Sequence, residues 1–407
     1  MFINKIIYKI KSSVTNFEFG LLKRRANHYS YNLVSKKPLE DSEIVIENFF
    51  ETEYKKNALL SYIIYPFSGK IQNNHSNHRE CFIIAEILKE LGYNVDVINW
   101  NNTTFLPVKK YDVVIDNHNN LERLSPYFTE STMKIFHATN THWLYQNSIE
   151  YGRYYDFFLK KGVAITPARL MFPGNSAEYC DAISIFGNEF TESTYGVYRS
   201  KMYHLPMSVT TLAEVIEERD YSLAKKKFIW LNSHGVLLKG LDIVIDAFSM
   251  LPHLELYICG DLDRDGKFKD TISLQLSKAP NIKIAGWVDI EGEVFKKIVT
   301  ECAWVISTSF SEGGGGSTLN CMAKGLIPVV SSASSLTLPE KTGFYLEENN
   351  AINLAALLSS ISLLPDAELS GMSFNTFSFV ASNHTLENFK NKYKEFLIKI
   401  LESQISL

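Results

Sequence analysis

Beyond residue 58, short apolar runs alternate with segments whose apolar residues recur at helical spacing, and this alternation confines the chain to one class of fold. LLSYIIYPF (59–67), YNVDVINW (93–100), YDVVID (111–116), MKIFHAT (133–139) and DAISIFG (181–187) read as buried strands. RECFIIAEILKELGY (79–93) reads as an amphipathic helix, and another helix is expected from about Glu189. Strands and helices in alternation imply a parallel sheet covered on both faces. SVTTLAEVIEERDYSLAKKK (208–227) breaks the pattern with charge and little apolar content, which marks a domain boundary. The pattern then restarts with strands at KFIWLN (227–232), LELYICG (254–260), NIKIAGW (281–287), AWVISTS (303–309) and LIPVV (326–330), and helices at 239–251 and 293–302. The chain ends in TLENFKNKYKEFLIKIL (385–401), apolar at 386, 389, 393, 396, 397, 400 and 401, a helical spacing.

The reading is two doubly wound Rossmann-like α/β domains facing a central cleft, with a carboxyl-terminal helix closing back on the first. Residues 1–50 form a basic amphipathic extension, 51–215 the first domain, 216–378 the second, and 379–407 the crossover helix. Ligands of such sheets sit outside the carboxyl ends of the strands.

Composition excludes several classes. With 45% hydrophobic and 21% charged residues the chain is ordinarily globular, and its net charge of −4 rules out a nucleic-acid binder. The charge is uneven: residues 1–37 carry eight basic side chains against Glu18 alone, a net +7, which leaves −11 on the rest. Phe2, Ile3, Ile6, Ile7, Ile10, Val14, Phe17 and Leu21 recur at helical spacing beside Lys5, Lys9 and Lys11. That stripe either lies on an anionic membrane surface or packs on the body of the protein. Five scattered cysteines without a CxxC motif suit a reducing cytosol. No run of about 18 apolar residues is present to span a bilayer, and lysines interrupt the apolar stretch that a secretory signal would need. The expected location is cytoplasmic, peripheral on the inner face of the membrane if the stripe binds lipid.

The chemistry concentrates in FSEGGGGSTLNCMAKGLIPVV (310–330), where Glu312 precedes Gly313, Gly314, Gly315 and Gly316 between a strand and a helix. Bare backbone at a helix start admits a ligand closely and offers unpaired N–H groups to an anion, most simply a phosphate. A carboxylate beside a phosphate would be repelled unless it held hydroxyls, which points to a sugar on that phosphate. A plain surface loop is the competing reading. GDLDRDG (260–266) begins like an EF-hand loop, but its twelfth position is Ile272, where a bidentate glutamate is needed, so no metal is expected.

The stretch resembles the motif of retaining, family-4 type glycosyltransferases of the GT-B fold. Glu312 matches the first glutamate of that motif, Cys321 to Gly325 and Pro328 to Val330 fall in register with its A-M-A-x-G-x-P-V-V run, and Asn320 takes the place of the second glutamate. FIWLNSHGVLLKGLDIVIDAF (228–248) is similar to the family's G-R-x4-K-G stretch: Lys239 and Gly240 match, and His234 stands where the family has arginine. The resemblance covers residues 225–346 by motif and 58–207 by topology only. It implies a transferase that moves a sugar from a nucleoside diphosphate to a glycan or lipid-linked acceptor, in cell-surface polysaccharide or lipopolysaccharide synthesis, with no metal or other cofactor. Glu312 would hold sugar hydroxyls, and Lys239 the departing diphosphate. Gly313 to Gly316 would offer backbone N–H groups, and Ser317 and Thr318 would cap the helix. His234 and Gly235 would line the donor site, Trp287 and Val288 would meet the base through their backbone, and Asn320 would bind the ribose.

The first domain should hold the acceptor. Its histidines 75, 78, 118, 137 and 142 crowd into loops, and His137 and His118 directly follow strands, where each would face the cleft and orient an acceptor hydroxyl or the moving sugar, or else simply pack. Arg153 and Asn188 are further candidates there. A nucleotide-sugar epimerase of the same fold and a non-catalytic sugar-binding scaffold are the two rival readings.

Overall fold

The computed structural model describes residues 42–69, 76–212 and 219–405; the basic segment 1–37 and its apolar stripe lie outside these residues. In the first domain, β1 (Val45–Ile46), β2 (Lys56–Tyr62), β3 (Tyr93–Asn99), β4 (Val113–Asp116), β5 (Met133–Ala138), β6 (Ala182–Ile185) and β7 (Met202–His204) form one sheet in the order β1-β3-β2-β4-β5-β6-β7. All pairs are parallel except β1, which runs antiparallel to β3. Because β1 lies within residues 42–50, the first sheet begins inside the segment read as an extension. A two-residue edge strand carries no periodicity to reveal it.

The second sheet holds β8 (Lys227–Leu231), β9 (Glu255–Cys259), β10 (Ile282–Gly286), β11 (Trp304–Ser307), β12 (Ile327–Ser331) and β13 (Phe344–Leu346), in the order β10-β9-β8-β11-β12-β13, all parallel. The central strands are apolar on both faces because helices cover both: every residue of β11 is buried, as are the last four of β8. Apart from the edge strand β1, each sheet starts in the middle, at β2 or β8, winds to one side, and returns to build the other. The winding therefore reverses between β2 and β4 and between β8 and β11, and the ends of these pairs are the crevices where such sheets take ligands.

Two connections tie the halves together. Residues 205–212 lead from the first domain toward the second, and the helix Leu386–Ile405 leads back, burying Phe389, Tyr393, Phe396, Leu397 and Ile400 among Leu60, Ile84, Val97 and Ile115 of the first core. The preceding helix, Asp366–Asn383, stays on the second domain, where Ser373 donates to the Gly325 carbonyl (2.6 Å) and Thr376 to that of Thr342 (2.7 Å). The crossover thus falls at His384, later than residue 379. There the two connections bond to each other: Val209 N–H donates to the His384 carbonyl (2.8 Å), and His384 Nδ1 donates to the Met207 carbonyl (2.9 Å).

A third element crosses the boundary. The helix Trp143–Lys161 lies between β5 and β6 in the chain, yet Tyr154 and Phe157 are buried in the second core beside Phe248 and Phe268. The Phe157 and Phe268 rings sit 5.5 Å apart. His142 caps its start by accepting from the Leu144 N–H (3.3 Å), and Gly162, left-handed at φ 70°, ends it.

Candidate active site

Lys239 follows β8 and Glu312 follows β11, so the two motif residues stand at the carboxyl ends of the strands that flank the second switch point. They touch. Lys239 Nζ pairs with the Glu312 carboxylate and donates to the Ser311 carbonyl (3.3 Å). The Lys239 side chain is almost fully buried and that of Glu312 partly so. Burial pushes the Lys239 ammonium down to about 8; the Glu312 charge resists that shift and the nearby Arg169 adds to it. A buried cation is costly unless paired, and the Glu312 carboxylate supports the charge of Lys239.

The glycines after Glu312 open the helix Gly316–Met322. Its N-cap is Gly315 in a left-handed conformation (φ 63°), and no side chain caps it. Ser317 and Thr318, expected as caps, instead lie in the first helical turn, with Thr318 buried. The bare backbone meets the other domain. A Cβ on Gly313 would lie 2.0 Å from the Thr139 carbonyl oxygen and 2.6 Å from the Asn140 Cα, on the loop after β5, so only glycine fits. Around this contact Thr141 Oγ1 and Ser311 Oγ are 2.5 Å apart, Ser311 donates to Gln146 Oε1 (3.2 Å), and the Tyr145 hydroxyl donates to the Phe310 carbonyl (3.2 Å). Gly314 and Gly316 face Met207.

The remaining candidates divide. Asn320 is committed to the first connection: its Oδ1 accepts from the Thr210 N–H (3.0 Å) and its Nδ2 stands 3.4 Å from the Thr210 hydroxyl. Asn188 caps the helix Glu189–Ser193 and donates to the Leu336 carbonyl (3.1 Å) across the domain boundary. Arg153 forms an interdomain ion pair with Asp242 (2.6 and 2.7 Å) and lies over the Phe310 ring. His234 and Gly235 occupy the loop between β8 and Lys239, where the Gly235 N–H donates to the buried Asp265 (3.1 Å). Trp287 and Val288 follow the edge strand β10, two strands from β8; Trp287 is exposed and Val288 is buried. His118 follows β4 at the first-domain switch point, bonded through Nδ1 to Asn119 Oδ1 (2.7 Å) and resting on Trp100, with burial lowering its pKa.

His137 is not at the cleft. It sits within β5, fully buried between the sheet and the crossover helix, ringed by Tyr62, Phe186 and Tyr393. Its Nδ1 meets the Ser184 hydroxyl (2.9 Å), and burial pushes its imidazole down to about 3, so it is a neutral core histidine. The strand runs to Ala138, and the chain reaches the cleft only at Thr139 to Thr141.

Two residues absent from the motifs also enter the site. Glu150, fully buried on Trp143–Lys161, accepts from the backbone N–H groups of Ala168 (2.8 Å) and Arg169 (2.7 Å), and burial raises its carboxyl against the pull of Arg169 and Lys239. Gln146 donates to the Arg169 carbonyl (2.6 Å). Gln146 and Glu150 share a helix with other polar residues, so their place is legible only once the helix is known to face the other domain.

Residues 225–362 match the sequence model of the family described as "Glycosyl transferases group 1". No curated protein sequence matches the chain. Among solved structures the chain is similar to Alr3699/HepE from Anabaena in complex with UDP-glucose, at 11% identity and a TM-score of 0.54, covering 84% of this chain and 99% of that one. It is similar as well to a sucrose-phosphate synthase from Thermosynechococcus elongatus, at 12% identity and a TM-score of 0.55, covering 86% of this chain and 99% of that one. The chain therefore has two parallel-sheet Rossmann-like domains in the GT-B arrangement, and its second half carries a group 1 glycosyltransferase domain.

Proposed function

We propose that the chain is a glycosyltransferase that moves a sugar from a nucleoside-diphosphate sugar to a glycan or lipid-linked acceptor, with retention at the anomeric carbon, in cell-surface polysaccharide synthesis. The observation that carries this reading is the Lys239–Glu312 pair at the second switch point, where the β8 and β11 loops meet the loop after β5. A lysine and a carboxylate held together at such a crevice suit a ligand that is anionic at one end and rich in hydroxyls at the other. When the donor enters, Lys239 passes from Glu312 to the diphosphate, and Glu312 turns to the sugar hydroxyls. As the anomeric C–O bond breaks, negative charge grows on the diphosphate, where Lys239 and the N–H groups of Gly313 to Gly316 stabilise it; this electrostatic term is the largest. The acceptor hydroxyl adds its oxygen on the same face, from the side of His118, and its proton passes to the departing diphosphate. Lys239 does the work a divalent cation would do, so the reading asks for no metal. On sequence alone, residues 1–37 would hold the protein on the inner face of an anionic membrane.

Thermal unfolding against a panel of nucleotide-sugars is the test, because a ligand at 100 times its Kd adds about 2.7 kcal/mol of stability. The expected outcome is stabilisation by one donor and its free nucleoside diphosphate, and sugar transfer that survives a chelator. Stabilisation by none of the panel would overturn the reading. Turnover of donor without acceptor to an isomeric nucleotide-sugar would replace it with an epimerase.

A further inference from the structure

The loop after β8 carries His234 where the resembling motif has arginine, which leaves Lys239 as the single motif cation beside the glycine turn. The structure brings a second cation to this place from the other domain. Arg169 lies in the segment 162–175 that follows the helix Trp143–Lys161. Its backbone is clamped from both sides, its N–H by Glu150 (2.7 Å) and its carbonyl by Gln146 (2.6 Å). Its side chain then crosses directly over Gly235. A Cβ on Gly235 would lie 2.3 Å from Arg169 Cγ and 2.4 Å from Cδ, and Gly235 is itself left-handed (φ 76°), so the loop opens room for this side chain. The Gly235 carbonyl accepts from the Lys239 N–H (3.1 Å), so the Arg169 side chain rests on the same loop that carries Lys239.

The charge arrangement is unbalanced. Lys239 has Glu312, whereas among the described residues no hydrogen bond or ion pair engages the Arg169 guanidinium, and Arg169 as a residue is half-buried. Glu150 spends Oε1 on backbone N–H groups, and its buried Oε2 has no hydrogen-bond partner. Arg169 lies close enough to Lys239 to disfavour its charge. Two like charges held side by side at the switch point, Lys239 buried against Glu312 and Arg169 without a hydrogen-bonded acid, are what an anion with two phosphates would satisfy, and a guanidinium offers it a fork of donors that a lysine cannot.

We infer that Arg169, supplied by the first domain, binds the donor diphosphate beside Lys239. This rests on the donor reading above. It makes diphosphate binding depend on both domains at once, because one cation comes from each.

The test is calorimetric titration of UDP, GDP and ADP, and of the matching monophosphates, into the full chain and into Arg169→Ala and Arg169→Met. Methionine keeps an aliphatic stem over Gly235 and removes the charge. For the diphosphate that the wild-type chain binds, both variants are expected to raise Kd about tenfold or more, a loss of about 1.4 kcal/mol, and to leave the monophosphate within about twofold. Unchanged diphosphate affinity in Arg169→Met would overturn the inference and leave the side chain a packing role. So would equal losses for mono- and diphosphate. Failure of the wild-type chain to bind any of the three diphosphates would instead overturn the donor reading itself.

Discussion

Lys239 has to be charged to help a leaving diphosphate, yet its surroundings work against that charge. Burial pushes it down to about 8, from an unfolded value near 10.5. The unfolded chain therefore holds a proton between those values that the folded chain has released, so Lys239 makes the fold more stable as pH rises through that window, while the charge needed for catalysis disappears. The expected outcome is a kcat/KM that falls above about pH 8, since that ratio reports the free enzyme. Lys239→Arg should remove the descending limb, because a guanidinium keeps its proton. Lys239→Ala should cost more in kcat than in donor affinity, by about 2.7–4 kcal/mol if the lysine acts like one oxyanion donor. Asn320→Ala should behave otherwise. Its oxygen already holds the Thr210 N–H, so its loss should lower stability by about 1 kcal/mol in urea unfolding and leave nucleotide affinity nearly unchanged. Lys239 and Glu312 were marked out by the two stretches that resemble glycosyltransferase motifs, and the structure places both at the switch point. That they bond to each other was not legible, because the meeting of two loops is set by the reversal of winding and not by spacing along the chain.

Among the elements, the one hidden from the sequence matters most to the site. Trp143–Lys161 buries Gln146, Glu150, Tyr154 and Phe157, a stripe polar at one end because that end faces the active site and aromatic at the other because that end enters the second core. Tyr151, Tyr155 and Leu159 are exposed on it, so its apolar residues do not mark the buried face, and periodicity fails as a guide. The strand preceding it was legible to within one residue, but not that His137 inside it faces the first core, among Tyr62, Phe186 and Tyr393, and so stands away from the cleft. The helix Ser76–Glu90 offers a cleaner case of an element tied to an interdomain connection. Glu80 is fully buried on it and accepts from the N–H and the hydroxyl of Ser208, both at 2.8 Å. Burial outweighs these bonds and pushes its carboxyl up to about 7. Because its folded pKa is the higher one, the stability Glu80 provides is complete below about pH 4.5 and is lost as pH rises through 7, roughly 3 kcal/mol in all. Glu80→Gln cannot ionise. Urea unfolding at pH 5 and pH 8 should show the variant gaining on the wild-type chain by about that amount at the higher pH, and parallel curves would mean that Glu80 is charged throughout.

On the scale of the whole molecule, alternation of strand and helix was enough to indicate two doubly wound sheets, and the polar break at 208–227 placed the division between them. What alternation does not carry is how near the two halves come. The four glycines looked like a cradle for phosphate, but in the structure part of that bare backbone faces protein: Gly313 lies against the backbone of Thr139 and Asn140. These roles are compatible if the same close approach that seats the domains also walls in the donor. They separate by substitution. A methyl group on Gly313 meets backbone atoms at 2.0 to 2.6 Å, which cannot yield without moving the loop after β5 or the whole domain. A methyl group on Gly316 meets only the sulfur of Met207 at 3.1 Å, the flexible end of an adaptable side chain, at the first position of a helix. Gly313→Ala should therefore destabilise by about 1–3 kcal/mol, the usual cost of overpacking. Gly316→Ala should be neutral, or stabilise by about 0.4–1 kcal/mol through the unfolded chain. Urea midpoints of the two variants give the comparison, and small-angle scattering shows whether Gly313→Ala expands the molecule. If Gly313→Ala matches Gly316→Ala in both measurements, the domains in solution stand farther apart than this contact allows, and donor binding would have to bring Thr139 and Gly313 together.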